Sequence, residues 1–321
     1  MSYYSNIILE NYQVRKGKKK KTAFIEFVKG ECAKHGYDVN VEKGSFGARN
    51  IVVGDPERAK VVYTAHYDTC AWLPFPNFIT PKNIGIYLLY QIFLTLAMIA
   101  LAFGGAVLME QLFTPLVESW LGTESANVGG AIFFWSFDII FFVILGLIMA
   151  GPANKHTAND NTSGVVTLLE LMKSMPTEHK NDAAYIFFDF EESGLIGSSS
   201  YASKHKDFKK NGLVINFDCV SDGDTILFAI NKKASHLKKE LEKAYMPNDM
   251  FNVEIAYEKV IYPSDQASFV NGVGVASLKK SKRGILYMDR IHTGKDTVFE
   301  EKNIAYLVER SIEFTKLVSE K

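Results

Sequence analysis

Cysteine is scarce: three in 321 residues, Cys32, Cys70 and Cys219, with no CxxC spacing. An odd, scattered set builds no disulfide framework and fits a reducing compartment. None of the three sits in a nucleophile motif, which sets thiol catalysis aside. No sign of charge is in excess, with 36 Lys+Arg against 36 Asp+Glu. A zero balance argues against a nucleic-acid partner, which needs positive charge to neutralise phosphates. The N-terminus has no apolar h-region, so no cleavable signal peptide is expected. At 47% hydrophobic and 22% charged residues, disorder and collagen-like repeats are excluded for the whole chain. The length suits two domains, or one large α/β domain with an insertion.

Charge is also missing locally. From Asn83 to Met109 there is none, and from Val128 to Ala150 there is only Asp138. Each run exceeds the ~20 residues that a helix needs to cross ~30 Å of hydrocarbon. A core helix keeps a polar stripe, and these runs show almost none. They predict a transmembrane hairpin in the cell membrane. Its linker, Glu110 to Asn127, has no Lys or Arg and carries Glu110, Glu118 and Glu124. Lys82 and Lys155 flank the hairpin, so the positive-inside rule places both flanking segments in the cytoplasm. Trp72, Phe75, Phe78 and Trp120 suit interfacial anchoring. A carboxylate at Asp138 is expensive in lipid. It predicts either a bond to Thr95 within the hairpin or self-association, with Gly104, Gly105, Ala106 and Gly146 permitting close helix approach.

The chain therefore divides into 1–82, an insertion at 83–150, and 151–321. Without the insertion it reads as a single α/β domain. Apolar runs at 60–64, 184–188 and 213–217 predict buried strands, and helical periodicity appears in 22–35, 163–174, 235–245 and 302–318. Alternation of the two predicts a three-layer α/β/α fold around a central mixed, mostly parallel sheet. The basic run Arg15 to Lys21 reads as a solvated helix start or as a contact with anionic lipid.

Three predicted strands end in polar residues: His66-Tyr67-Asp68, Asp189-Phe190-Glu191-Glu192 and Asp218. Strand carboxyl ends are where open α/β sheets place ligands. Asp160, in an Asn-Asp-Asn-Thr-Ser-Gly segment, and His292 join them. The candidate ligands are His66, His292, Asp160, Asp218 and the Glu191-Glu192 pair, besides Asp68. Imidazole and carboxylate without thiolate suit zinc or a similar divalent ion in a catalytic site. A shared carboxylate and balanced pairs are what two ions require.

The segments AHYDT, NDNTSG, FDFEESGLIGSSSY, NFDCVSDGD, YPSDQASF and IHTGKDT, in this order, resemble the co-catalytic zinc metallopeptidases of family M28. That family holds aminopeptidases, glutamate carboxypeptidases and glutaminyl cyclases. The resemblance covers about 22–80 and 152–318 and leaves the hairpin as an insertion. It implies two divalent ions, zinc foremost: His66 and Asp218 on one, Glu192 and His292 on the other, and Asp160 bridging through a residue joined to Asn161 by a cis peptide. It implies Glu191 as general base and Asp68 as the carboxylate that orients His66. The implied activity is hydrolysis of peptides near the membrane surface, most simply as an aminopeptidase. Gln266 departs from a His often found there. Two alternatives stand beside this reading: a single-zinc, glutaminyl-cyclase-like acyltransferase, and a membrane receptor or scaffold built on an inactive peptidase fold.

Overall fold

The computed structural model describes residues 1–122 and 126–320. Glu124 therefore lies outside the described residues. The chain forms two units, Met1–Ile84 with Ala153–Lys321, and Gly85–Pro152.

The first unit is built on strands β1 (Val39–Lys43), β2 (Arg49–Val53), β3 (Val61–His66), β4 (Ala183–Phe188), β5 (Leu213–Phe217), β6 (Thr225–Ile230), β7 (Asn252–Ala256), β8 (Asn271–Lys280) and β9 (Leu286–Tyr287). They form one mixed sheet in the order β1-β2-β4-β3-β5-β8-β6-β7, with β9 on β8. The central β4-β3-β5-β8 ladder is parallel, and β1, β2 and β9 pair antiparallel. β3 and β4 are buried along their whole length. That burial explains why they read as continuous apolar runs and not as alternating ones. Successive side chains serve opposite faces: Val61, Tyr63 and Ala65 enter one core, and Val62 enters the other.

Helices α1 (Tyr3–Asn11), α2 (Lys18–Lys34), α5 (Gly164–Ser174), α8 (Lys238–Ala244) and α9 (Glu301–Ser319) contribute to the larger core; α6 (Ile196–Lys204) and α7 (Lys206–Asn211) contribute to the other. On α5, Val165, Leu168, Leu169 and Met172 are fully buried, each burial stabilising by about 1.5–3 kcal/mol. α8 begins three residues later than its periodicity predicts, because Lys232–Leu237 winds as a tighter turn.

The basic run is not uniformly solvated. Lys18, Lys19 and Lys20 are exposed, but Arg15 is wholly buried and Lys21 is 4% exposed. Arg15 donates to the carbonyls of Tyr67 (2.6 Å) and Tyr12 (2.7 Å) and to Thr162 Oγ1 (3.1 Å). Lys21 pairs with Asp189 and lies 3.6 Å from the centre of the Phe190 ring. Both cations are internal because each finds acceptors there.

The second unit is two helices, α3 (Ile84–Leu121) and α4 (Ala126–Ala150), both long and apolar enough to cross a membrane. Their apolar side chains face outward, Leu89 at 68% and Phe142 at 64% exposure, which is the opposite of a core helix. α3 has 38 residues, about 57 Å at 1.5 Å per residue, so most of the predicted linker is helical, through Pro115. Within the hairpin Ala102 and Ala106 are buried, and a Cβ on Gly105 would meet Ile140 at 2.7 Å. Gly105 thus permits the hairpin's own packing, whereas Gly104 and Gly146 have open space around them. Thr95 donates to the Gln91 carbonyl of its own helix (2.9 Å).

Candidate active site

The parallel registers His66↔Phe188 and Val62↔Val214 align the carboxyl ends of β3, β4 and β5 on one edge. His66 is the last residue of β3; Asp189, Glu191 and Glu192 follow β4, and Asp218 follows β5. The other two elements are loops. Ala158–Ser163 makes an irregular turn before α5, with a cis peptide between Asp160 and Asn161. It is stitched down on both sides. Asp296 accepts from the main-chain N–H of Asn159 (2.8 Å) and Asp160 (3.0 Å). Asn161 Oδ1 accepts from Gly164 (3.0 Å) and Cys219 (3.2 Å). Gly164 must be glycine, since a Cβ there would sit 2.3 Å from the Phe217 carbonyl oxygen.

His66, Asp160, Glu191, Glu192, Asp218 and His292 all line one cavity of about 220 Å³, with Ile79, Ile291 and Pro263 as apolar wall. His66 Nε2 is 3.3 Å from Asp160 Oδ1 and 3.4 Å from Asp218 Oδ1. His292 Nε2 is 3.0 Å from Asp160 Oδ2 and 3.2 Å from Glu192 Oε2. The two oxygens of Asp160 therefore address two different histidines. Asp68 lies behind the cavity. Its main-chain carbonyl, not its carboxylate, holds His66 Nδ1 (3.1 Å against 3.7 Å). Its carboxylate accepts from the main-chain N–H of Glu191 (3.0 Å).

The electrostatics follow from crowding carboxylates in a buried place. Burial raises the Glu191 carboxyl well above the usual range and takes Glu192 to about 8. Burial disfavours charge on the histidines too, but neighbouring carboxylates overcome it. Glu191, Asp160 and Asp218 lift His66 well above its usual value, and Glu192 and Asp160 lift His292 to about 9. Asp160 moves the other way. Against its burial, hydrogen bonds from His292 and His66 hold its carboxyl below the ordinary range.

The donor set fits divalent metal. His66, Asp160 and Asp218 offer atoms within 4.8 Å of one another, as do His66, Glu191 and Glu192. Glu192 Oε1 is buried without a partner among the described residues, an arrangement that a cation satisfies. Proximity alone does not divide the glutamates; contacts do, since Glu192 pairs with His292 and Glu191 makes no ion pair among the described residues.

Several site residues escaped sequence reasoning. Asp296, inside the segment that carries His292, braces Asp160 instead of lining the cavity, and burial raises its carboxyl to about 7. Asp265 is wholly buried with neither oxygen bonded among the described residues. Cys70 Sγ stands with Glu192 and His292 in a third cluster of potential donors, a neighbour that the imidazole-and-carboxylate inventory did not include. Gln266 does not line the cavity; it bonds Asn216 (3.2 Å) and the Tyr262 carbonyl (2.6 Å) behind it.

Comparison with known proteins agrees with this geometry. The family model for peptidase family M28 matches residues 143–308. A probable leucine aminopeptidase 2 of Aspergillus oryzae is 26% identical over 192 residues, half of this chain and 37% of the relative. The chain thus spans little more than a third of that relative's length. Among solved structures, the LapA aminopeptidase of Legionella pneumophila aligns with TM-score 0.58 at 14% identity, covering 99% of this chain and 70% of that one. A glutaminyl cyclase of Bacteroides thetaiotaomicron aligns with TM-score 0.58 at 15% identity, over 97% and 94%. A Zn-dependent exopeptidase of Parabacteroides distasonis aligns with TM-score 0.52 at 14% identity, over 97% and 95%. At these identities the structural likeness speaks for the fold. The family rests on the matched half of the sequence, which holds Asp160, Glu191, Glu192, Asp218 and His292: the chain belongs to peptidase family M28.

Proposed function

We propose that the protein is a membrane-anchored aminopeptidase that uses two zinc ions to hydrolyse peptides near the membrane surface. The observation that carries this reading is Asp160, whose two oxygens face His66 and His292 separately. Each histidine has its own second carboxylate, Asp218 or Glu192. His66, Asp160 and Asp218 would hold one ion, and His292, Asp160 and Glu192 the other.

Bound zinc supplies Lewis acidity toward water and toward the scissile carbonyl. The protein's own groups do the rest. Glu191 has no competing ion pair among the described residues, so it is available to take the proton of the attacking water and deliver it to the leaving amine. Burial and the neighbouring carboxylates raise its carboxyl well above the usual range; cations on the adjacent ligands would favour the charged form, which is the base. Membership of M28 and the likeness to a probable leucine aminopeptidase support an aminopeptidase over a carboxypeptidase. The apolar hairpin supports anchoring in a lipid bilayer, and its flanking lysines support a cytoplasmic peptidase unit.

The alignment with a glutaminyl cyclase, at the same TM-score as LapA, keeps the single-zinc acyltransferase as a second reading. One experiment separates them. Metal-replete protein in mild detergent is analysed for metal and assayed on aminoacyl chromogenic substrates with free or acetylated amines. The expected result is about two ions per chain and cleavage of the free amine only. A single ion with ammonia release from N-terminal glutaminyl peptides establishes the cyclase. Metal without either turnover leaves the scaffold.

A further inference from the structure

Cys70 stands on the segment that leaves β3 after Asp68. It is 1% exposed, and its Sγ, a Glu192 carboxylate oxygen and a His292 ring nitrogen all lie within 4.8 Å of one another. Hydrogen bonds fix this approach. The Cys70 carbonyl accepts from Asn154 N–H (3.2 Å), and the adjacent Ala71 bridges Ala153. The same two segments grip the histidine: Leu73 N–H donates to the His292 carbonyl (2.8 Å), and Asn154 Nδ2 donates to the Thr293 carbonyl (3.0 Å). Thiol and imidazole are thus held in one frame, made by the two stretches of chain that flank the hairpin.

Glu192 gives an independent indication. Its side chain is 9% exposed; Oε2 meets His292, and Oε1 is buried with no partner among the described residues. An unpartnered buried oxygen on a carboxylate that stands with a thiol and an imidazole is a group that a bound cation would satisfy. The other half of the site differs. Cys219 is near it, but its Sγ lies in hydrogen-bond contact with Asp218 Oδ1 (3.2 Å), and it belongs to none of the donor clusters among the described residues.

We propose that Cys70 is a thiolate ligand to the divalent ion held by Glu192 and His292, so that the two metal positions are chemically unequal. The position beside Cys70 is soft and selects zinc or cadmium; the position of His66, Asp160 and Asp218 has only nitrogen and oxygen donors and accepts harder ions. Zinc therefore fills the Cys70 position first, and the second ion is the exchangeable one.

This rests on the metallopeptidase reading, and the test keeps the two apart. Metal-free, full-length protein in mild detergent is titrated with Co²⁺ and followed by absorption. A thiolate–cobalt charge-transfer band in the near ultraviolet should grow with one equivalent in the wild type and in Cys219→Ser, and be absent in Cys70→Ser. Cadmium titrations of Cys70→Ser should show one site weakened roughly tenfold or more, the scale seen even for outer partners of metal ligands, with the other unchanged. A band that survives in Cys70→Ser, or that vanishes in Cys219→Ser, overturns the assignment. So does wild-type protein that binds cobalt without the band, a result that holds even where the variant fails to fold. Protein that binds no divalent ion at all overturns the metallopeptidase reading itself.

Discussion

Asp68 Oδ1 accepts a hydrogen bond from the main-chain N–H of Glu191 at 3.0 Å. The carboxylate therefore fixes the backbone of the proposed base, while the His66 ring is held by the Asp68 carbonyl. This arrangement predicts a graded response. Asp68→Asn keeps an acceptor for the Glu191 N–H and should retain most turnover. Asp68→Ala removes it and should lower kcat about 10- to 100-fold, the range typical of lost supporting contacts. Equal losses in both variants, measured on the same chromogenic substrate, would show that Asp68 acts through its charge.

The adjacent glutamates should separate cleanly. Glu191→Gln removes proton transfer without removing a metal contact, so metal content should hold while kcat falls about 10²–10⁴-fold. Glu192→Gln disturbs the partner of His292, so it should lower metal affinity. Elemental analysis beside turnover reads both, and wild-type turnover in Glu191→Gln would remove it from the mechanism.

Metal-free protein should lose stability as pH rises. Glu192 titrates near 8 and Asp296 near 7 in the folded chain, against roughly 4 when unfolded. His292 titrates near 9, against roughly 6.5 unfolded. In each case the folded state binds more protons between the two values, so stability falls from about pH 4 up to about pH 9. Divalent metal replaces those protons and should reverse the trend near neutrality. Melting curves at pH 5.5 and 8.5, with and without zinc, check this; a metal-free protein that melts higher at pH 8.5 contradicts it.

Much of this site was legible because its chemistry is local. Buried strands announce themselves as runs such as Ala-Ala-Tyr-Ile-Phe-Phe, and each ligand follows such a run or sits in a short polar segment. What stayed hidden depends on partners far along the chain. Lys21 reads like its neighbours in a basic run until Asp189, 168 residues away, is brought beside it. Asp296 looks like a loop residue until it meets the N–H groups of Asn159 and Asp160. Cys70 carries no motif at all, and only the fold places it beside His292. The antiparallel pairing of β8 with β6 and β9 was equally silent, since strand direction is set by long-range pairing.

The hairpin leaves Asp138 half-buried, and the open surfaces at Gly104 and Gly146 leave room for another helix. A second copy is the partner proposed for this face, because polar side chains in membranes face protein. Asp138→Leu should shift the detergent-solubilised protein toward monomer with metal content unchanged. Monomeric wild type by mass photometry in nanodiscs contradicts this.

Topology gives the last test. The proposed cytoplasmic peptidase unit rests on Lys82 and Lys155. In the folded chain Lys82 pairs with Glu254, whereas Lys155 is exposed; the positive-inside rule counts both. Cys32, Cys70 and Cys219 are all buried, so an introduced surface cysteine can be read against a quiet background. Ser119, near the end of α3, and Ser203, on α6, are both exposed. In intact cells an impermeant thiol reagent should label Ser119→Cys and spare Ser203→Cys, and permeabilisation should expose the second. The reverse pattern would put the peptidase unit outside, make extracellular peptides its substrates, and show that these two lysines do not set the orientation.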